Sequence, residues 1–258
     1  MINRLFGDRR RLAVLRRIDK PAALLLAVIQ AIIAAAGWFA DPVWLAVAIA
    51  GQLGVGGLVA IRVLGPARSD LGFARYAMPS VAGIAATVSG RLIPGGLSLL
   101  LVPIVAVVLW SVTYLELRME RGSGGTTIGS LLQTVMIFSS AAGLLALFGA
   151  QVWPTPLIVI GALSVPVALR AAEARGKLGV EAVGQGLLHV LVVLQVGAAS
   201  VLLSVPLQVM AALMALAFYA WGGAVDALEG GDSGRSVAVE FGPLLLLGLV
   251  IGLLLHRA

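Results

Sequence analysis

Hydrophobic residues run along this chain in blocks too long for the strands and amphipathic helices of a water-soluble core. Residues 21–40, 42–61 and 92–115 hold no Asp, Glu, Lys or Arg over 20, 20 and 24 positions. Residues 122–169 and 182–225 continue that pattern over 48 and 44 positions. A helix needs about 20 apolar residues to cross a bilayer core, so each of the two longest blocks holds two crossings. Divided at proline, glycine and charged breaks, the chain predicts nine spans. They lie near 21–40, 43–62, 77–92, 97–116, 128–150, 155–170, 182–203, 207–225 and 240–256. The third is the weakest, with Pro79, Gly83, Ser89, Gly90 and Arg91 in or beside it; a re-entrant segment is its alternative. The predicted fold class is all-α: a polytopic integral membrane helical bundle of about nine transmembrane helices, forming one domain over 21–258.

Charge orients the bundle. With the N-terminus cytoplasmic, 16 of the 18 Lys and Arg residues fall on inside segments, leaving only Arg91 and Arg257 outside. That is the bias expected of inside loops. Omitting the third span moves Arg118, Arg121, Arg170, Arg175 and Lys177 to the disfavoured side. The expected location is therefore the cell inner membrane, multi-pass, N-terminus cytoplasmic and C-terminus outside. Arg91 is expected to snorkel to the outer interface.

Composition agrees with this class: 60% hydrophobic and 12% charged residues, with mean hydropathy +1.05. Soluble domains carry about twice that share of charge. The net charge of +6 is spread between spans apart from one N-terminal cluster, so it suits a membrane surface rather than nucleic acid. Residues 1–20 mix Ile2, Leu5, Phe6, Leu12, Leu15 and Ile18 with basic side chains. They read as a basic amphipathic cytoplasmic segment whose Arg9, Arg10, Arg11, Arg16 and Arg17 contact anionic lipid headgroups. This head is long for a signal peptide, so the first apolar run reads as an uncleaved helix.

Each outward turn carries a proline, at Pro42, Pro94, Pro154 and Pro206. Pro42 to Pro154 and Pro94 to Pro206 are both separated by 112 residues. The same shift aligns Gly37 with Gly149, Leu45 with Leu157, Val47 with Val159 and Ala50 with Ala162. A parallel repeat of four plus four helices (21–127 and 128–239) with an extra helix at 240–256 is one reading. Chance matching among Ala, Val, Leu and Gly is the other. Small-residue rows at Ala46, Ala50 and Gly54, and at Ala82, Ala86 and Gly90, are expected to pack helices closely. The run from Gly51 to Gly57 lacks the Lys-Ser/Thr of a phosphate loop and falls inside an apolar helix.

Candidate chemistry is sparse. There are no cysteines, and the two histidines are His189 and His256. Glu181, Gln185 and His189 recur every four residues and so share one helix face. They suggest a polar path from the cytoplasm toward the bilayer midplane, with His189 as its titrating centre. The bland alternative is a hydrogen-bonded structural histidine with Glu181 at the interface. Gln30, Gln52, Gln133, Gln195 and Gln208 either converge on one polar cavity or each tie one helix pair. Asp226, Glu229 and Asp232 are expected on a solvated loop after the eighth span. Glu116, Arg118, Glu120 and Arg121 are expected to form weak surface pairs. Pro103 and Pro166 are expected to kink their helices. Trp38, Trp44, Trp110, Trp153 and Trp221 are expected at the lipid interfaces.

No HExxH or GxSxG motif and no intramembrane lysine accompanies these residues. The reading is therefore non-enzymatic, with no cofactor and no metal. It favours a transporter or permease-like protein for a small solute or ion. The alternative is an accessory or scaffold subunit bound to a membrane partner or to a second copy.

Overall fold

A computed structural model describes residues 21–65, 72–120, 126–149 and 153–255. The expected lipid contacts at Arg9, Arg10, Arg11, Arg16 and Arg17 lie outside the described residues, as does His256. Among the described residues the fold is all-helical. In chain order the helices are α1 (Pro21–Trp38), α2 (Pro42–Leu64), α3 (Met78–Ser89), α4 (Val102–Glu120) and α5 (Thr126–Phe148). They are followed by α6 (Thr155–Ala174), α7 (Gly179–Leu202), α8 (Leu207–Glu229) and α9 (Gly234–Leu255). Eight of the nine are long and apolar enough to cross a membrane, and the protein has the character of a multi-pass membrane bundle. Leu, Val and Ile side chains cover the outer faces, as at Leu58, Leu100, Ile158, Val180 and Leu254. That is the inverse of a soluble surface.

Only α3 is short, at 12 residues, and it is the most enclosed. Ten of its residues are buried, from Met78 to Val88. Turns of 3-10 helix extend it at both ends, over Ala74–Tyr76 and Gly90–Leu92. The flanks are pinned by arginines. Arg75 Nη2 donates to Leu64 O (3.1 Å) and Gly65 O (2.7 Å), and so covers the carbonyls left open where α2 ends. At the opposite end Arg91 Nη1 donates to Gly37 O and Ala40 O, both at 2.8 Å. The segment from Arg75 to Arg91 thus runs the full height of the α1–α2 hairpin.

Two glutamines hold α3 between α1 and α2. Gln30 Nε2 donates to Pro79 O at 2.8 Å. Gln52 Nε2 donates to Gln30 O (2.8 Å) and to Thr87 Oγ1 (3.2 Å). Amides inside a bundle need such partners because lipid supplies none. The glycine run of α2 serves the same contact. It forms one π-helical turn, Val55–Val59, in which Gly56 lies so close to α3 that a Cβ would stand 2.6 Å from Ser80 Cα.

Several expectations change here. Gln30 and Gln52 clasp α3, Gln133 is buried, and Gln195 and Gln208 are exposed on the outer face, so the five amides do not converge. The inward stripe of α2 is Leu45, Ala48, Gln52, Gly56 and Ala60; Ala46 and Ala50 face outward. The second row does pack, and a Cβ on Gly90 would overlap the indole of Trp38. Trp38 itself is a core residue whose Nε1 donates to Ala86 O at 2.9 Å, whereas Trp44 is exposed. Pro103 stands at the second position of α4, directly after the 3-10 segment Gly95–Leu101, rather than in mid-helix. Pro166 is internal to α6.

The remaining helices pack as serial antiparallel neighbours: α6 on α7, α7 on α8, and α8 on α9, with α5 against both α6 and α8. Glycines set the close approaches; a Cβ on Gly186 would meet the Leu169 backbone at 3.2 Å, and one on Gly143 the Val88 carbonyl carbon at 2.6 Å. The bundle has one end carrying the turns with Pro42, Pro94, Pro154 and Pro206, here the proline end. Arg75, Arg175 and Asp226 mark the other, the charged end.

Candidate functional site

At the charged end three helices, α3, α4 and α6, are joined by buried charge. Arg170, in the last turns of α6, meets Glu116 of α4 through Nε (2.9 Å to Oε2) and Nη2 (2.8 Å to Oε2). Its Nη1 also lies 3.8 Å from Glu173 Oε2. Glu173 Oε1 in turn accepts from Phe73 N (2.9 Å) and Ala74 N (3.2 Å), the open amides where the turn into α3 begins. Negative charge is favoured at such a start. Gly72, at φ +66°, is packed against the Glu173 carboxyl, where its backbone conformation and the lack of space both call for glycine. The expected weak surface pairing of Glu116 is thereby corrected: Glu116 and Arg170 are 4% and 1% exposed.

The acids after the eighth span also sit differently from expectation. Asp226 and Glu229 belong to the last turns of α8 rather than to a loop. Asp226 Oδ1 is 3.5 Å from Arg175 Nη1. Glu229 Oε1 is 3.3 Å from Lys177 Nζ and accepts from Gln185 Nε2 at 3.1 Å. Lys177 Nζ also contacts Glu181 Oε1 at 2.7 Å. Hydrogen bonds donated to Glu181 first, and to Glu229, hold the Lys177 ammonium above its ordinary pKa. These contacts staple the α6–α7 link to the end of α8.

A cavity of about 520 Å³ rises inside the bundle from this end, among α4, α5, α8 and α9, and reaches His189 of α7. Its polar lining includes Glu116, Gln133, Arg175, Asp226, Tyr219 and Glu240, and its apolar lining includes Met78, Met136, Phe218 and Phe241. That volume falls in the range of small-molecule sites, about 300–1,000 Å³. His189 is the deepest group of the helix-7 stripe. Ten residues into α7, it stands about 15 Å from the start of that helix. The ring is 1% exposed and stacks on Phe218, with centroids 4.0 Å apart. Its Nε2 lies 2.8 Å from Phe218 O, and since a carbonyl only accepts, Nε2 carries the hydrogen. In the neutral ring Nδ1 is then a lone-pair acceptor, and it has no protein partner.

The predicted stripe is therefore divided. His189 lines the cavity, while Gln185 and Glu181 lie along the α7–α8 seam, where Glu181 is 60% exposed beside Lys177. Sequence reasoning missed Glu240, seven positions into α9, because nothing in a single carboxylate near a span end marks it. It also missed the Arg170–Glu116 pair, whose members are 54 residues apart. Among the described residues no group of three or more His, Asp or Glu is placed to hold a metal ion. A second, mostly apolar groove of about 280 Å³ lies between α7, α8 and α9. The chain matches no protein-family model, no curated protein sequence and no solved structure.

Proposed function

We propose that this protein is a permease-like transporter of a small solute in the cell inner membrane, and that the cavity beneath His189 is its vestibule. The observation that carries the reading is a cavity, apolar over most of its wall but carrying several polar and charged groups, that penetrates to a buried histidine halfway along a spanning helix. Polar groups at that depth are costly unless they serve a cavity or a partner. In this reading α3 is a ninth crossing, supported by its arginine-pinned ends, and the vestibule opens to the cytoplasm, the side favoured by the basic residues. A four-plus-four duplication fits the pairing of α2 with α3 and α3 with α4, which recurs as α6 with α7 and α7 with α8.

Flux through proteoliposomes tests the role of His189. A panel of labelled small solutes is expected to include one whose uptake is lost in His189→Gln while assembly is retained. Uptake unchanged by that substitution would remove His189 from the path.

A second reading, an accessory subunit, is favoured by Gln195 and Gln208, two amides exposed on the outer faces of α7 and α8. A partner helix would satisfy them. Native mass spectrometry from nanodiscs separates the two: a stoichiometric partner protein supports the subunit reading, and a monomer carrying a small molecule supports transport.

A further inference from the structure

One side of the vestibule is a gap between helices. Helices α5 and α9 both pack on α8 but not closely on each other. On α8, Gln208, Ala212, Tyr219 and Asp226 recur at intervals of four and seven, so they share one face, and all four are exposed. That face is about 27 Å long. Its Tyr219 and Asp226 line the cavity together with Ser130 and Thr134 of α5 and Glu240 of α9. The cavity is therefore open sideways, toward the lipid that surrounds a spanning bundle. Resting on the vestibule reading, we propose that its occupant is a phospholipid admitted from the bilayer through this gap. The headgroup enters the cavity, and the acyl chains stay in the membrane.

The walls of the gap carry the polarity of a lipid, in the same order. On α5, Thr127 and Thr134 are followed on one face by Phe138. On α9, Glu240 is followed by Leu244 and Ile251, and on α8 Asp226 and Tyr219 give way to Ala212. Polar groups thus lie toward the charged end and apolar ones beyond. Depth separates this gap from an ordinary lipid-facing surface. Tyr219 lies ten residues before Glu229, the end of α8, and so about 15 Å inside it. The Tyr219 hydroxyl and the Glu240 carboxyl have no hydrogen-bond or ion-pair partner among the described residues. Acyl chains supply none, whereas a headgroup does. The lining offers both functions. Tyr219 can donate, while Ser130 Oγ and Thr134 Oγ1 have spent their protons on Thr127 O (3.0 Å) and Ser130 O (2.8 Å) and accept. A phospholipid headgroup, with phosphate acceptors beside amine or hydroxyl donors, matches such a mixture without a net charge having to select it.

Photolabelling of the full chain tests this, in vesicles of phosphatidylethanolamine and phosphatidylglycerol doped with a phospholipid that carries a diazirine in its headgroup. Label is expected on Thr134 and Tyr219 as well as on Asp232 and Arg235 at the charged end. None is expected on Val135, which is exposed on another face of α5 at the depth of Thr134. The double variant Thr134→Leu, Tyr219→Leu should lower label at the neighbouring Ser130 and Gly222 about fivefold. Asp232 and Arg235 should be labelled as before, which checks that the variant is folded and inserted. Label confined to Asp232 and Arg235, equal label on Val135, or deep label unchanged in the double variant overturns the proposal. So does displacement by soluble glycerophosphoethanolamine, which would make the ligand a solute from water. A cysteine from Gly222→Cys separates this failure from that of the transport reading. Its reaction from both membrane sides without deep lipid label leaves transport standing and removes the lipid. Deep label with reaction from one side only keeps the lipid site and removes transport.

Discussion

Arg170 and Glu116 meet at 2.8 Å across α6 and α4, both almost wholly withdrawn from the surface, at the point where the two helices reach the charged end. Removing one partner leaves the other short of its counter-charge, whereas removing both withdraws the pair and leaves Glu173 to its Phe73 and Ala74 donors. Glu116→Ala is therefore expected to cost about 3–5 kcal/mol, and the double variant Glu116→Leu, Arg170→Leu less than the sum of the two single changes. Unfolding of the purified protein in bicelles measures this. Additive costs, with the double variant the worst, would contradict a coupled pair.

The π-turn of α2 makes a sharper packing prediction. A Cβ at Gly56 meets the Ser80 backbone at 2.6 Å, while one at Gly54 meets nothing within 4 Å. Gly56→Ala is expected to destabilise by about 1–3 kcal/mol, and Gly54→Ala to change stability by no more than about 0.5 kcal/mol. Equal effects in the same unfolding assay would mean that α2 presents a different face to α3.

Trp38 and Trp44 are expected to report opposite environments. In variants retaining a single tryptophan, brominated lipid should quench Trp44, which is 65% exposed, and spare Trp38, whose indole is bonded to Ala86. Strong quenching of Trp38 would turn the face of α1 that carries it, here packed on α3, toward the lipid.

The proposed crossing of α3 rests on where Arg75 and Arg91 attach. Cysteines from Ala40→Cys and Gly96→Cys should be labelled from the same side, and one from Asp232→Cys from the other. Ala40 and Gly96 on opposite sides would show that α3 re-enters without crossing.

The number of helices and their approximate bounds were legible because lipid demands long uncharged runs, and few other structures supply them. Which face of each helix turns inward was not. In α2 the outward row Ala46, Ala50 and the inward row Ala48, Gln52, Gly56 are similar in composition, so periodicity does not separate them. Inward facing was decided by single polar groups finding partners: Gln52 with Gln30, Trp38 with Ala86, Arg91 with Gly37. The same reason hid part of the site. His189 stood out as a lone ionisable group deep in an apolar run. Glu116, Arg170 and Glu240 lie near span ends, where a charge reads as interfacial unless the neighbouring helix is known.

The most direct measurement is the accessibility of a cysteine at Gly222→Cys, in a chain that has no other cysteine. A Cβ at Gly222 lies 3.6 Å from His189 Cε1, an ordinary contact, so the substitution probes the cavity without refilling it. A membrane-impermeant thiol reagent is applied to proteoliposomes from each side in turn. A transport vestibule predicts reaction from both sides, because the site must open to each during turnover. Reaction from one side alone, or from neither, would contradict the transport account.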